Sequence, residues 1–246
     1  MWENKVAIVT GAASGIGYLT AERFAKNGVR VALMDVNPTT VEAAAEKIRQ
    51  QGGCADAYTA DIRDYSAVEA AVNETFQKYG RLDIIVNCAG GASSRVFGRT
   101  ETFRDMPIEV LDWGVDVNLK GQIYMARAGI GYMMDQGSGV IINLGSVVGQ
   151  TGGTSIDYSA AKSGAMNGLT KSLALYGAPY GVRVCCVTPG PVLTRPGMAK
   201  MKTLLGRAAQ PEEIVDLIEY LSSDKAAFIT GTNYLIDGGR SCGAKD

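Results

Sequence analysis

The chain alternates from end to end between short apolar runs and longer segments of helical spacing, and few architectures satisfy that pattern. The apolar runs are Lys5–Thr10, Val29–Asp35, Ala55–Thr59, Leu82–Asn87, Val140–Leu144, Val182–Val187 and a last one around Tyr234–Ile236. Each is strand-length and nearly continuous in hydrophobicity, as expected of strands buried on both faces. Between them, Ile16, Leu19 and Phe24 fall at helical spacing before a stop at Gly28. Asn37-Pro38 opens a helix reaching about Gln51, and Asp64 caps one carrying Val68, Val72 and Phe76 up to Gly80. Residues from Pro107 to Asp135 are helical with an interruption around Asn118, and another long helix is expected from about Asp157 to Ala178. Pro211-Glu212-Glu213 starts a helix with Ile214, Leu217, Ile218 and Leu221 on one face. Only Gly91–Met106 reads as a polar, structure-poor loop. Such alternation implies an α/β fold, a doubly wound parallel sheet of about seven strands with right-handed crossovers and helices on both faces. No linker or repeat interrupts it, so residues 1–246 are expected to form one domain. In such sheets ligands bind beyond the carboxyl ends of the strands, which is where informative residues should lie.

Composition removes several classes of function. The net charge is −1 and no basic block stands out, which argues against a nucleic-acid partner. Apolar runs are strand-length, so no membrane partner is expected. Histidine is absent, which excludes Ser-His and Cys-His catalysis and histidine metal sites; no metal is expected. The five cysteines lack Cys-x-x-Cys spacing and suit reduced thiols used as small packing residues. Residues 1–5 lead straight into a strand with no signal peptide in front, so the expected location is cytoplasmic.

The turn Thr10-Gly11-Ala12-Ala13-Ser14-Gly15-Ile16-Gly17 sits directly between the first strand and the first helix. Glycines there let the backbone approach a pyrophosphate, and the helix N-terminus offers free N–H groups. Asp35 ends the second strand, 18 residues after Gly17. A carboxylate at that place can accept hydrogen bonds from adenosine ribose hydroxyls and repels a 2′-phosphate. Neither Ala12–Ser14 nor Val36–Pro38 supplies a cation, so NAD is the expected cofactor. Tyr158 and Lys162 stand four residues apart, one helical turn from each other. An ammonium beside a phenol favours the phenolate and makes the tyrosine a candidate acid/base. Tyr-x-x-x-Lys alone also occurs in surface helices that do no chemistry. Ser146, 12 residues earlier and just after a strand, can bring a second hydroxyl to the same substrate oxygen.

Taken together, Thr10-Gly11-x-x-x-Gly15-x-Gly17, Asn87-Cys88-Ala89-Gly90, Asn118, Ser146, Tyr158-x-x-x-Lys162, Pro189-Gly190 and Thr230-Gly231…Asp237-Gly238-Gly239 resemble the short-chain dehydrogenase/reductase family, across essentially the whole chain. The resemblance implies a Rossmann-like fold and a catalytic group of Asn118, Ser146, Tyr158 and Lys162. Tyr158 would move the proton and Ser146 would polarise the carbonyl. Lys162 would lower the tyrosine pKa and bind the nicotinamide ribose, and Asn118 would hold a water linking Lys162 to solvent. Gly11, Ser14, Gly15, Ile16, Gly17, Asp35 and Val36 would bind the cofactor with Asp61 and Ile62 at the adenine. Asn87, Ala89 and Gly90 would pass beneath the ribose, and Pro189, Gly190, Val192 and Thr194 would hold the nicotinamide end. Cys88 departs from the family's more usual asparagine, with little expected consequence.

The resemblance places substrate against Gly91, Ser93, Ser94, Ser146, Val148, Gln150, Tyr158 and Pro191. The Gly91–Met106 loop is longer than usual for the family, and the lid between Pro189-Gly190 and Pro211-Glu212 is shorter. A short lid implies an open pocket, hence a bulky or cyclic secondary alcohol or ketone, hydroxysteroid-like or a sugar alcohol. Reduction of 3-oxoacyl chains on acyl carrier protein is the alternative. It is lowered because Asp135–Ser138 and Pro179–Gly181 lack the arginines that such reductases resemble each other in carrying. A non-catalytic NAD-binding scaffold would predict a broken catalytic set, and this set is intact. The family resemblance also implies a homotetramer or homodimer, with a small-molecule alcohol or ketone as the other partner.

Overall fold

A computed structural model describes residues 2–243; the ends of the expected 1–246 domain lie outside the described residues. Seven parallel strands form one sheet in the order β3-β2-β1-β4-β5-β6-β7. They are β1 (Val6–Thr10), β2 (Arg30–Asp35), β3 (Cys54–Thr59), β4 (Ile84–Asn87), β5 (Gly139–Leu144), β6 (Val182–Pro189) and β7 (Asn233–Ile236). Period-2 alternation explains why the runs look uniformly apolar. Ala7 and Val9 join a core with Leu33, Val86 and Ile142 on one face, beneath Phe24, Ile48 and Ile214. Ile8 joins Met34, Ile85 and Ile141 on the other, beneath Val72, Met125 and Met133. The central strands β1, β4 and β5 are covered on both faces, as a parallel sheet requires, while the edge strands β3 and β7 are only partly covered.

The helices follow their sequence cues. α1 (Gly15–Lys26), α2 (Pro38–Gln50) and α3 (Tyr65–Tyr79) begin where expected. Asn37 caps α2 by accepting from the Thr39 and Thr40 amides, and Asp64 caps α3 likewise. The expected loop at 91–106 holds a short helix, α4 (Ser93–Val96), and a 3₁₀ turn at Phe103–Asp105. Next come α5 (Ile108–Val115) and α6 (Gly121–Gln136), separated by a π-helical stretch, Asp116–Lys120, that contains Asn118. A one-turn α7 (Val148–Thr151) follows β5, a feature absent from the sequence expectation. The long helix expected from 157 to 178 is α8 (Ile156–Gly164) and α9 (Thr170–Gly177), with a second π-helical stretch, Ala165–Leu169, between them. Thr170 explains that break: its hydroxyl donates to the Ala165 carbonyl at 2.7 Å, five residues back. α10 (Pro211–Ser222) opens on a capping box between Gln210 and Glu213.

β1 lies between β2 and β4, so strand order reverses there and opens a crevice at the carboxyl ends. Among the described residues, no helix is long and apolar enough to cross a membrane.

Candidate active site

Two adjoining cavities occupy that crevice. The larger, ≈ 500 Å³, follows β1, β2 and β4 and is lined by Gly11, Asp35, Asp61, Ala89 and neighbours. The smaller, ≈ 300 Å³, lies beyond β5 and β6 and is lined by Ser146, Tyr158 and Lys162. Ile16, Cys88, Gly90 and Thr194 line both, so a bound molecule can run from one into the other.

The larger cavity is shaped by close backbone approach. A Cβ on Gly11, at φ +63°, would come within 2.8 Å of the Ala89 Cα, and a Cβ on Gly17 would strike the Gly11 carbonyl. Glycine at these places lets the turn pack against β4 and lets α1 start against the turn. The first amides of α1 have no intrahelical acceptor, and the Ser14 side chain caps none of them. That leaves donors and the positive helix end free for an anion. The Asp35 carboxylate accepts from the Ala13 amide at 3.2 Å and the Asn37 amide at 3.3 Å, which fixes it at the rim. Ser14, Ile16, Val36, Ile62 and Thr194 also line this space. Gly15 stands at its edge, 3.8 Å by its implied Cβ from Thr194. Asn87 is not part of the lining; it is buried below, donating to Asn143 Oδ1 at 2.9 Å. The donor set, glycine cradle and rim carboxylate fit a dinucleotide. Arg63 also lines the cavity, a cation the sequence reading overlooked. Asp61 engages it at 2.5 Å, so its charge is matched.

In the smaller cavity, β5 delivers Ser146 and α8 delivers Tyr158 and Lys162. Lys162 is buried, 5.7 Å by Nζ from the Tyr158 ring centroid, and its Nζ donates to the Leu144 carbonyl at 2.8 Å. Burial lowers its pKa to about 8. The expected depression of the tyrosine pKa by lysine is not what governs Tyr158. Burial raises it above the ordinary phenol value, while the Ser146 hydroxyl and the Arg95 and Arg195 guanidinia pull it down. Asn118 is fully buried in the π-helical stretch. Its Nδ2 donates to the Gly91 and Gly114 carbonyls at 2.9 and 2.8 Å, and its Oδ1 accepts from the Gly91 amide at 3.0 Å. One amide hydrogen and the side-chain oxygen are therefore spent on holding Gly91, and the other amide hydrogen on the Gly114 carbonyl of α5. The Asn118 carbonyl in turn accepts from Gln122 Nε2, which also donates to Leu144. Gln122 thus helps fix the carbonyl that Lys162 uses, a role no sequence pattern announced.

Of the expected substrate contacts, Gly91, Val148 and Pro191 line the cavity beside Ser146 and Tyr158. Pro189, Gly190 and Val192 line it as well. Ser93, Ser94 and Gln150 do not, which corrects that expectation. Ser93 is buried and its hydroxyl donates to the Asp157 carboxylate. Ser94 faces Ser155 in a separate hollow with Thr102 and Phe103, and Gln150 is exposed on α7. The lid does contribute: Arg195, Met198 and Met201 form one wall and Arg95 from α4 another. These were missed because they lie on segments with no periodicity to aim their side chains. The lid's base is tied by Leu193 and Ala209, whose amides donate to the Ala209 and Pro191 carbonyls at 2.9 Å each.

The chain is similar to known proteins over nearly its whole length. The family described as short chain dehydrogenase matches residues 5–204. A cyclohexanol dehydrogenase of Acinetobacter sp. (strain SE19) is 35% identical over 96% of this chain and 95% of its own. A 3-oxoacyl-(acyl-carrier-protein) reductase of Thermotoga maritima is 35% identical over 96% and 98%. Among solved structures, that of gox2181 superposes with a TM-score of 0.89 at 30% identity, covering 98% of this chain and 99% of its own. The chain therefore belongs to the short-chain dehydrogenase/reductase family of oxidoreductases.

Proposed function

We propose that the protein is an NAD(H)-dependent oxidoreductase interconverting a secondary alcohol and a ketone, with Tyr158 as general acid/base. The observation carrying this reading is convergence: the Ser146 and Tyr158 hydroxyls meet in a cavity continuous with a dinucleotide-shaped cleft. The nicotinamide supplies or accepts the hydride when bound. Ser146 polarises the substrate oxygen and aligns it, and Tyr158 gives or takes its proton. Lys162, buried and donating to the Leu144 carbonyl at the cavity wall, would hold the nicotinamide ribose. Asn118 holds Gly91 in place; any water relay to Lys162 through its side chain has only the second lone pair of Oδ1 to use.

Asp35 at the rim favours NAD over NADP, because it would stand against a 2′-phosphate and Arg63 is already paired. A cavity of ≈ 300 Å³ suits a ring-sized secondary alcohol, in keeping with the cyclohexanol-oxidising relative. The carrier-protein reductase remains a second reading on likeness to the Thermotoga protein. The lack of cations at 135–138 and 179–181 weighs against it. We further read the chain as one domain, cytoplasmic, and assembled as a homotetramer or homodimer. A panel of cyclic, polyol, steroid and acyl-thioester substrates, followed by NADH absorbance with NAD and NADP in parallel, tests the reading. Turnover of a cyclic alcohol with NAD is expected; activity confined to acyl thioesters with NADP would sink it.

A further inference from the structure

Several arginines here are neutralised: Arg23, Arg49, Arg81 and Arg207 each contact a carboxylate at 2.6–2.7 Å. Arg95 and Arg195 are different. They reach the smaller cavity from opposite segments, α4 and the lid. Neither has an ion pair or side-chain hydrogen bond among the described residues. The cavity lining contains three cations, Arg95, Arg195 and Lys162, and no aspartate or glutamate. The Arg95 guanidinium lies against the backbone of Gly91, in the space a Cβ there would reach. We propose that Arg95 and Arg195 form an anion clamp, and that the natural substrate is a hydroxy or oxo acid whose carboxylate they hold while its carbinol or carbonyl carbon faces Tyr158.

Two guanidinium forks present planar N–H pairs that match carboxylate oxygens, and a carboxylate between them relieves like-charge repulsion. Burial and the Arg95 charge push the Arg195 pKa below its ordinary value, and both guanidinia pull the Tyr158 pKa down. The cofactor's own phosphates are not the anion in question. The turn and α1 that would hold them line the larger cavity, and neither arginine lines it. The inference rests on the alcohol/ketone reading only for the reaction; the binding claim stands on the arginines alone.

The test uses the full chain saturated with NADH. Calorimetric titration compares cyclohexanecarboxylate with cyclohexanecarboxamide, for wild type, R95Q and R195Q. The carboxylate should bind about tenfold tighter or more in wild type, the preference should collapse in each variant, and it should fade as salt rises. Equal affinities, or a preference that survives both substitutions, overturn the clamp. So does an R195Q protein that has lost NADH affinity, which would assign that arginine to the cofactor. Reduction of 3-oxocyclohexanecarboxylate and its methyl ester separates the two claims. Equal kcat/KM for acid and ester removes the clamp and leaves the ketone reading intact. Arginine-dependent carboxylate binding with neither compound reduced keeps the clamp and removes that reading for ring ketones.

Discussion

Tyr158 and Lys162 are each pushed toward neutrality by burial, one as an acid and one as a base. For the phenol, the neighbouring Ser146 hydroxyl and two guanidinia oppose that push. In the proposed mechanism, Tyr158→Phe removes the group that exchanges a proton with the substrate oxygen. Turnover should drop by about 10²–10⁴-fold while NADH quenching of protein fluorescence still titrates normally. Retained turnover would move the proton transfer elsewhere. Lys162 is displaced in the opposite sense. Its folded pKa of about 8 lies below the ordinary 10.5. Between those values the unfolded chain binds a proton the folded one does not, so this group's contribution to stability rises with pH across that window. The span corresponds to about 3 kcal/mol. Lys162→Met lacks the effect, so wild type minus variant unfolding free energy should climb by that amount from pH 8 to 10.5 in paired urea titrations. A flat difference would mean the ammonium stays charged in place. At this scale the sequence was most legible where the constraint is local. Gly11, Gly17 and Asp35 are fixed by backbone approach and strand ending, which spacing reveals. Arg95 and Arg195 were invisible because a one-turn helix and a lid segment carry no periodicity that aims a side chain.

The same division holds for elements. The interruption at Asn118 was readable, since a buried asparagine inside an apolar helix must find backbone partners, and it takes the Gly114 carbonyl one turn back. The break at 165–169 was not readable. Its cause lies on another element: Asn143 of β5 donates to the Thr170 hydroxyl at 3.0 Å while that hydroxyl donates to Ala165. Asn87 of β4 completes the chain by donating to Asn143. A buried polar thread therefore runs from the sheet to the helix that carries Tyr158 and Lys162. Thr170→Val keeps the volume but strands the Asn143 amide. It should cost about 2 kcal/mol, lowering the thermal midpoint by roughly 4–8 °C for a chain of this size. Thr170→Ser should recover most of the loss. An undiminished midpoint in the valine variant would show that the thread carries no net stability.

At the scale of the molecule, alternation was enough to imply a parallel sheet of about seven strands with right-handed crossovers; the order β3-β2-β1-β4-β5-β6-β7 was not read from it. What alternation does not specify is the outer surface. The helices covering the sheet should hide their apolar stripes, yet Leu175 and Tyr176 on α9 are 79% and 60% exposed and Ile156 at the start of α8 is 44% exposed. These are the helices that carry Tyr158 and Lys162 and the polar thread, and among the described residues their outer side chains stay largely uncovered. Burying a leucine removes about 1.5–3 kcal/mol of unfavourable hydration, and two-fold pairing counts each such contact twice because the same patch serves both subunits. If the proposed homotetramer or homodimer pairs through this helix, Leu175→Asp places a carboxylate at that contact in each copy. Light scattering coupled to size exclusion should then give a mass at least halved relative to wild type, with far-ultraviolet circular dichroism unchanged. An unaltered mass would place the assembly surface away from α9. In the dissociated form, activity should fall as well, because the helix that holds Tyr158 in register with Ser146 would lose its outer support while keeping only the inner thread through Thr170.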